Sequence, residues 1–432
     1  MASTTSISGN NNDNNSNNNI SNSTIVRFEA NESTRIKMIW SAEDLRSERD
    51  PHVTFTPVFS HQIFKEEQII GYEPLRLNIY MGAGSLTSFI DTNYTIKSKN
   101  ITNVEKQLVT VMSKTDPPLS TYDSFREYID EKENNFKPPG DKLHEYTVTD
   151  RDTGKETVYE VYFGKISDPV MLRYHEKLQL FVLWYIDGAS YIYTNDSNWD
   201  IFLIFERRVI DGVKRYGVVG YSTIYNFYHH PECNRSRISQ FLVLPLYQRM
   251  GHGKHLLNAI YNQYKANPSV YGPVYDITVE DPADNFILLR NTVDIENITK
   301  AGLVKHVTAN FDLSQDHKEL FESIRKQLLI TPVQSKICLE IILLSKVIHL
   351  PASDANYKKF RVYIKKKLFK QFVGSELDSA DKEAIEKDPA KKQELEDNKR
   401  KVIIELYKQT EDEYSQSIYS VGLTANGTIA NR

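Results

Sequence analysis

The sequence predicts an α+β protein built around a mixed, mostly antiparallel β-sheet with helices. Three observations predict this fold. Short apolar runs separated by turn residues extend from residue 25 to 136 and indicate a strand-rich N-terminal domain. In residues 137–314, antiparallel strand patterns lead into a strand–helix–strand unit. From residue 315 to 414 the apolar spacing is helical, which predicts a small C-terminal helical domain.

Composition indicates a soluble globular protein. The 432 residues are 40% hydrophobic and 25% charged, and 19 Phe and 26 Tyr give them unusual aromatic weight. This length suggests two or three domains. The net charge of -4 is nearly balanced, so direct nucleic-acid binding is not expected.

Cysteine usage and hydropathy point to a reducing compartment. Cys233 and Cys338 have no CxxC spacing, so we expect neither a disulfide framework nor a structural zinc site. The first residues lack the charged start and apolar stretch of a signal peptide, and no apolar run in the sequence is long enough to span a membrane. We therefore expect a cytoplasmic and nuclear protein without membrane contact.

Both ends of the chain have the composition of tails. Residues 1–24 form an Asn/Ser tract that can bury almost nothing, so we expect it to be disordered, and we expect the same of residues 415–432. In the predicted C-terminal helical domain, the basic run within residues 358–370 has two possible interpretations. It either serves nuclear import or contact with acid, or forms the solvated face of an amphipathic helix.

Individual elements follow from local patterns. In the N-terminal domain, the runs FTPVFSHQIF, IIGYEPLRLNIYMGAGS and YTIKSKNITNV predict strands. The segment MLRYHEKLQLFVLWYIDGAS predicts a helix, and Asp211-Gly212 predicts a hairpin turn between IFLIFERRVI and YGVVGYSTIYNFY. SQFLVL and VYDITV predict strands separated by the helix KHLLNAIYNQY. Later helices are predicted from ELFESIRKQLLI, PVQSKICLEIILLSKVIHL and NYKKFRVYIKKKLFKQF.

The stretch QFLVLPLYQRMGHGKHLL, residues 240–257, contains a glycine loop between a strand and a helix. A P-loop is excluded because Gln248 replaces its first glycine and His255 its hydroxyl residue. A dinucleotide fingerprint is excluded because Leu256 replaces its third glycine.

The pattern that fits this stretch is Gln/Arg-x-x-Gly-x-Gly/Ala. Gln248, Gly251 and Gly253 occupy it, just before helical N–H groups that suit a pyrophosphate. Arg249, Lys254 and His255 add positive charge. The structural alternative is a glycine turn into an ordinary helix.

This loop resembles the coenzyme A loop of the GCN5-related N-acetyltransferase (GNAT) superfamily. Longer stretches resemble the type B histone acetyltransferase catalytic subunits, in family order from about residue 55 to 290. They are FTPVFSHQIF with IIGYEPL, RYHEKLQLFVLWYIDGASYI, VVGYSTIYNFYHHP, RISQFLVLPLYQRMGHG and DITVEDP. The resemblance implies a GNAT-like domain, acetyl-CoA as donor without a metal, and a WD-repeat histone chaperone as partner. The implied acceptor is a lysine on the tail of newly synthesised histone H-four.

The resemblance also assigns binding residues. It places Phe241, Leu242 and Val243 beside the acetyl group. The implied pyrophosphate loop is Gln248, Arg249, Met250, Gly251, His252, Gly253 and Lys254, with Asn285 as a further coenzyme contact. For the His252 side chain, a solvent-facing position is the alternative to a phosphate contact. The histone tail is matched to Glu66, Glu67, Tyr225, Asn226 and Phe227.

Transfer to lysine requires a base, because a lysine ammonium is not nucleophilic until it loses a proton. Glu280 ends the polar face of the VYDITV strand and matches the family's base motif. Asp281 is either a helix cap before Pro282 or a second base. Asp187 matches a position where the family commonly has Glu, so a further catalytic carboxylate is implied there.

Two rival functions stay open on the sequence. One is a non-catalytic histone-binding scaffold, and the other is an acetyltransferase for another protein or a small amine. Gly251, Gly253 and Glu280 are intact, which favours an enzyme. With no suitably placed Cys or Ser nucleophile, direct attack of the amine on the thioester is the expected mechanism.

Overall fold

The computed structural model describes residues 26–46, 53–150, 152–373, 389–424 and 428–430. They form two compact units. Of these residues, the first unit contains those up to Asn226 together with Ile238–Ile260, and the second contains Phe227–Arg237 and those from Tyr261 onwards. The predicted disordered segment 1–24 lies outside the described residues, and the predicted division into domains stays a prediction.

The strands are numbered in chain order. They are β1 (Arg27–Glu29), β2 (Thr34–Ile39), β3 (Thr54–Phe55), β4 (Gln68–Ile70), β5 (Tyr72–Glu73), β6 (Arg76–Gly82), β7 (Ser88–Asn93), β8 (Ile96–Lys97), β9 (Asp141–Thr149), β10 (Glu156–Lys165), β11 (Trp199–Ile210), β12 (Val213–His229), β13 (Cys233–Val243) and β14 (Val274–Val279).

The helices are numbered in the same way. They are α1 (Ala30–Ser33), α2 (Val104–Val111), α3 (Tyr122–Asn135), α4 (Pro169–Tyr185), α5 (His252–Ala266), α6 (Asp284–Lys300), α7 (Lys318–Leu328), α8 (Pro332–Val347), α9 (Ala355–Leu368) and α10 (Pro389–Val421). The predicted fold class, α+β with a mostly antiparallel sheet and helices, is confirmed.

A small mixed sheet forms the N-terminal part of the first unit. Its order is β3-β2-β6-β7, in which β2 and β6 are parallel and the other pairs antiparallel. The sequence analysis predicted longer strands here than the structure contains. Only Phe55 of FTPVFSHQIF, at the end of β3, and Ile96–Lys97 of YTIKSKNITNV form strand, and the latter segment ends at the start of α2.

Helices α2 and α3 were missed by the sequence analysis. In α3 the residues buried on one stripe are Phe125, Ile129 and Glu133, so a carboxylate occupies one of three core positions. Phe125 and Ile129 pack with Ile39 and Phe89 of the small sheet. Two buried apolar residues in fourteen give a weak periodic signal, and tertiary packing supplies the remaining stability.

The larger sheet of the first unit has the order β13-β12-β11-β10-β9. The predicted Asp211-Gly212 hairpin is confirmed: both residues have positive φ, 52° and 77°, and Ile210 pairs with Val213. The β9–β10 hairpin was missed, although its strands pair from Glu156↔Thr149 to Phe163↔Asp141.

Helix α4 confirms the prediction from MLRYHEKLQLFVLWY. Asp168 caps it by accepting from the Val170 N–H at 2.8 Å, and Pro169 occupies the first turn. Ten of its residues are buried, among them His175. Tyr174 donates to the Gly84 carbonyl at 2.9 Å, which ties the helix to the loop after β6.

Strands β12 and β13 approach unusually closely at Gly220. A Cβ at this position would lie 2.4 Å from the Leu242 carbonyl oxygen and 3.0 Å from the Val243 Cα. Glycine therefore fixes the spacing of β12 against the C-terminal end of β13.

In the second unit, β14 lies beside the N-terminal half of β13. Asn234 N–H donates to the Pro273 carbonyl at 2.9 Å, and the Thr278 hydroxyl donates to the Ser236 carbonyl at 3.3 Å. Partner numbers rise together on the two strands, as in a parallel pair. The predicted strand–helix–strand order β13-α5-β14 is thus observed along the chain.

Helices make up most of the second unit, and the predictions for α7, α8 and α9 are confirmed. Buried Glu340 of α8 accepts from Tyr414 and from Lys367, both at 2.6 Å, and so joins α9 and α10 to α8. Helix α10 runs to Val421, so the prediction that the helical region ends near Tyr414 and that a disordered tail follows is wrong for residues 415–421.

Two findings concern absences within the described residues. None of the helices there combines the length and apolarity needed to cross a membrane. Cys233 and Cys338 are both free thiols.

Candidate active site

The C-terminal end of β13 presents main-chain groups on the edge that faces away from β12. Leu244 N–H donates to the Val219 carbonyl of β12 at 2.8 Å. Because successive strand residues point their main-chain groups to opposite edges, the N–H and C=O of Val243 face the other way. The Gln248 side chain donates to the Val243 carbonyl at 2.9 Å. Gln248 thus secures the strand end with its side chain and leaves the Val243 N–H facing outward.

The glycine loop leads directly into α5. A 3₁₀ turn, Pro245–Tyr247, follows β13, and Gly251 then adopts a φ of 89° that disfavours a side chain. The Gly251 carbonyl accepts from Lys254 N–H at 3.0 Å and His255 N–H at 3.3 Å, the first bonds of the helix. The N–H groups of His252 and Gly253 precede these bonds, so the helix cannot pair them internally. This arrangement can hold an anion.

Tyr247 anchors the entrance of the loop to β11. Its buried hydroxyl donates to the Glu206 carboxylate at 2.8 Å. Glu206, itself 3% exposed, is paired with Arg208 at 2.5 Å, and the Arg208 guanidinium lies 4.0 Å from the Trp40 ring centroid. A buried carboxylate with two donors gives the loop a rigid starting point.

His252 anchors the exit of the loop, which corrects the solvent-facing interpretation of this residue. Its side chain is 1% exposed, its Nδ1 lies 2.8 Å from the Tyr146 hydroxyl, and its ring centroid is 4.3 Å from that of Tyr159. Burial, with a contribution from His255, lowers the His252 pKa to about 4. The side chain is therefore a neutral core residue, and only its main chain faces the loop.

His255 also differs from the prediction that it adds positive charge. Its ring stacks on Tyr146 with centroids 3.6 Å apart and planes at 5°. Burial, with contributions from the neighbouring His144 and Lys254, lowers its pKa to about 4. Near neutral pH the side-chain positive charge of the loop therefore comes from Arg249 and Lys254.

Glu66 and Glu67 have different roles, although both were predicted to attract substrate. Both residues have left-handed backbones, with φ of 54° and 56°. Glu67 accepts from the main-chain N–H groups of Ser60, at 2.6 Å, and His61, at 3.2 Å. Its carboxylate therefore holds the turn before it. The Glu66 side chain is 69% exposed and can face a ligand.

Asp187 lies near the same turn. Its side chain is 75% exposed, and the His61 Nε2 lies 3.9 Å away, while the His61 Nδ1 lies 3.8 Å from Glu67. Gln62 ties the two segments together by donating to the Ala189 carbonyl at 3.0 Å. We call Glu66, Glu67 and Asp187 the acidic corner.

Asn226 is a structural residue, which corrects its assignment to the histone tail. Its side chain is fully buried and donates to Asp200 at 2.8 Å and to the Asn198 carbonyl at 3.2 Å. Tyr225 is half-buried, and its hydroxyl donates to Asp196 at 2.7 Å. These contacts fix the local conformation of β12 and leave little freedom for either side chain.

In the second unit, Glu280 follows the last residue of β14 and is exposed. Asp281, also exposed, has a left-handed φ of 35°. The helix-cap interpretation of Asp281 is wrong: α6 begins at Asp284, and its N-cap is Ala283. Asn285 is exposed in the first helical turn.

Two other residues complete the second unit's candidates. Phe227 is 39% exposed, and the Arg237 guanidinium lies 4.7 Å from its ring centroid. Asp276, two residues before Thr278 on β14, is buried and binds Arg235 through two bonds of 2.7 and 3.0 Å. The polar face predicted for this strand is therefore partly used for folding. Among the described residues, no cluster of three or more His, Cys, Asp or Glu could hold a metal ion.

Sequence reasoning missed the residues that support the glycine loop. Tyr146 lies 106 residues from His252, and Glu206 lies 41 residues from Tyr247. Neither is part of a local motif. The density of Tyr and His around the loop was the one available signal, and it does not identify partners.

Comparisons with known proteins agree with this geometry. Residues 26–187 match the family described as histone acetyl transferase HAT1 N-terminus, and residues 172–279 match the acetyltransferase (GNAT) family. Two histone acetyltransferase type B catalytic subunits of Dictyostelium discoideum are similar. One is 57% identical, covering 88% of this chain and 83% of the relative; the other is 53% identical, covering 89% and 84%. The Homo sapiens type B catalytic subunit is 31% identical, covering 82% of this chain and 84% of the relative.

The buried state of His252 predicts a loss of stability in acid. The folded-state pKa, about 4, lies below the usual value of 6.5, so the unfolded chain binds the proton first. The stabilisation is complete above pH 6.5 and is lost as pH falls towards 4. By pH 5 the loss in the free energy of unfolding amounts to roughly 2 kcal/mol. His252→Gln should therefore show a shallower decline in the free energy of unfolding between pH 7 and 5, measured by urea denaturation. His306→Gln, at an exposed position, is the control; equal slopes for His252→Gln and the parent protein would contradict the prediction.

Proposed function

Because the chain belongs to the family of type B histone acetyltransferase catalytic subunits, we propose that it acetylates a lysine on the tail of newly synthesised histone H-four. The family makes the protein an acetyltransferase that uses acetyl-CoA as donor. The observation that carries the proposal is 57% identity to a type B catalytic subunit over 88% of the chain. The glycine loop that opens α5 agrees with it.

The loop fits the pyrophosphate of coenzyme A. The N–H groups of His252 and Gly253 lie at the positive end of α5, where an anion is favoured. Arg249 and Lys254 add charge, and Gly251 allows a backbone turn that other residues disfavour. Asn285, at the start of α6, would be a further coenzyme contact by the family resemblance.

The acetyl group would lie along Phe241, Leu242 and Val243. Acetyl-CoA supplies a thioester, whose carbonyl oxygen gains negative charge when an amine attacks. The outward N–H of Val243 is a preorganised donor for that oxygen, since Gln248 and Val219 hold the strand end in place.

Glu280 is the proposed general base. Its carboxylate would take a proton from the lysine ammonium, so that the neutral nitrogen forms a bond to the acetyl carbon and the carbon–sulfur bond breaks. The sulfur leaves as a thiolate and takes up the second proton, which the nitrogen loses as the amide forms. The exposure of Glu280 at the end of a fixed strand supports this role, and Asp281 and Asp187 are the alternatives.

The acidic corner is the proposed attraction for a basic tail. Glu66 and Asp187 are the exposed carboxylates there, while Glu67 keeps the turn folded. Tyr225 and Phe227 remain proposed tail contacts. By the family resemblance, the enzyme would work with a WD-repeat histone chaperone subunit in the cytoplasm and nucleus.

We expect acetyl transfer from labelled acetyl-CoA to be fastest on an H-four tail peptide. The panel should contain tail peptides of all core histones and spermidine as a small amine. Gly251→Val, which strains the loop, should weaken acetyl-CoA binding in calorimetry. Faster transfer to spermidine or to another histone tail would overturn the proposed substrate, and no transfer from a folded protein would overturn the activity.

Replacing Glu280 with Gln should lower kcat about a hundredfold while leaving both Michaelis constants near normal, because the amide cannot accept the ammonium proton. The loss should shrink at high pH, where more lysine arrives neutral. Steady-state kinetics from pH 7 to 9.5 measures both effects. Asp281→Asn is the matched control. If Asp281→Asn lowers kcat strongly and Glu280→Gln does not, the base is Asp281.

Glu66→Lys should raise the Michaelis constant for a basic peptide and weaken its dependence on salt, because attraction between exposed charges is screened by ions. Thermal stability should stay near that of the parent protein. Glu67→Gln is the contrasting variant and should lower the melting temperature, since its carboxylate holds two main-chain donors. An unchanged salt dependence in Glu66→Lys would place tail binding elsewhere.

A further inference from the structure

The edge of β14 that faces away from β13 is paired with groups from helices and a loop. Arg325 of α7 donates to the Tyr275 carbonyl at 2.8 Å. Ile277 N–H donates to the Leu329 carbonyl at 2.9 Å, and Arg290 of α6 donates to the Ile277 carbonyl at 2.8 Å. Tyr275 and Ile277 alternate along the strand and therefore present their carbonyls on the same edge. Arginine side chains thus satisfy acceptors that another strand usually satisfies.

The Arg290 side chain is oriented by a carboxylate on its own helix. Its Nε lies 3.5 Å from the Asp294 carboxylate, one helical turn further along α6. The Arg290 side chain is 12% exposed and that of Asp294 is fully buried. A buried charged pair is costly unless its geometry is good, so such a pair is better suited to fixing a conformation than to adding stability.

The Arg290 bond spans the segment that carries Glu280. Ile277 lies three residues before Glu280, and Arg290 lies ten residues after it. The intervening turn contains Asp281 in a left-handed conformation and ends at the N-cap Ala283. One hydrogen bond therefore joins the end of β14 to the helix that follows, and limits how the turn between them can move.

Arg325 provides an internal comparison. It caps Tyr275, two residues further from Glu280, and comes from α7, which follows α6 in the chain. Its guanidinium also lies 3.6 Å from the Tyr275 ring centroid. It supports the same strand edge and does not close the turn that bears Glu280.

We propose that Arg290, oriented by Asp294, is a positioning residue that sets the direction of the Glu280 carboxylate. The proposal rests on the proposed function, in which Glu280 is the base. Proton transfer requires the base within hydrogen-bond reach of the ammonium, and a displacement of about 1 Å is enough to cost up to a hundredfold in rate. A side chain on a turn needs such support, because a turn is softer than a strand or helix.

The test compares Arg290→Met with Arg325→Met. Arg290→Met should lower kcat about tenfold at pH 7, with the Michaelis constant for acetyl-CoA unchanged. The loss should shrink towards pH 9.5, because the neutral amine no longer needs the base. Arg325→Met should lower the melting temperature similarly and leave kcat close to that of the parent protein at every pH. Arg290→Lys, which can still donate one bond to Ile277, should recover part of the rate.

A double variant separates positioning from general damage. Once Glu280→Gln has removed the base, adding Arg290→Met should cause almost no further loss of kcat. If the two losses multiply, or if Arg290→Met reduces kcat equally at all pH values, Arg290 is a structural residue only. The same conclusion follows if Arg325→Met shows the profile expected of Arg290→Met.

The Glu280→Gln variant distinguishes failure of the positioning role of Arg290 from failure of the base assignment of Glu280. If Glu280→Gln is impaired but Arg290→Met and Arg290→Lys match the parent protein, the positioning role is wrong and the base assignment stands. If Glu280→Gln itself has normal kcat at pH 7, the base assignment is wrong, and the role given to Arg290 is wrong with it.

Discussion

The start of α5 depends on one constraint: its first main-chain N–H groups must face outward while the side chains around them are held in the core. A helix cannot pair these groups internally, so the fold has to support them from outside. Tyr247 does this at the loop entrance through Glu206, and His252 does it at the exit through Tyr146. The same logic applies at Val243, whose carbonyl is secured by Gln248. Binding donors are thus rigid because side-chain hydrogen bonds hold their neighbours in place.

The electrostatics of the loop follow from this support. Burying His252 and His255 keeps both rings neutral near physiological pH, so they contribute packing and hydrogen bonding instead of charge. The attraction for phosphate is then left to the helix end, Arg249 and Lys254. An arrangement of this kind keeps a constant charge across the pH range in which free histidines titrate.

Carboxylates are divided between folding and recognition in a similar way. Glu67 and Asp276 bind main-chain N–H groups or an arginine and stabilise their own surroundings. Glu66 and Glu280 lie close to them in sequence but remain exposed. Each exposed acid therefore lies within four residues of an acid that is used for folding. In the second unit, Arg290 extends this support to the turn that follows β14.

Local patterns in the sequence were sufficient for the elements whose signals are local. The hairpin at Asp211-Gly212 follows from residues that tolerate positive φ, and helices α4, α5 and α8 follow from their apolar spacing. The glycine loop could also be placed, because its requirement is a short backbone conformation. Helix α3 could not, since its stripe contains the carboxylate Glu133, whose place in the core depends on donors from Gly84 and Ser85.

The sequence by itself determined the family, the fold class and the position of the loop at the start of α5. Only the tertiary structure decided what individual side chains do there. His252 is buried because Tyr146, 106 residues away, reaches its ring, and Asn226 is structural because Asp200 on the neighbouring strand accepts its amide. Asp281 does not cap α6, because the helix begins two residues later than that role requires. Hydrogen-bond partners distant in sequence become neighbours only when the strands and helices pack together, so no local pattern could reveal them.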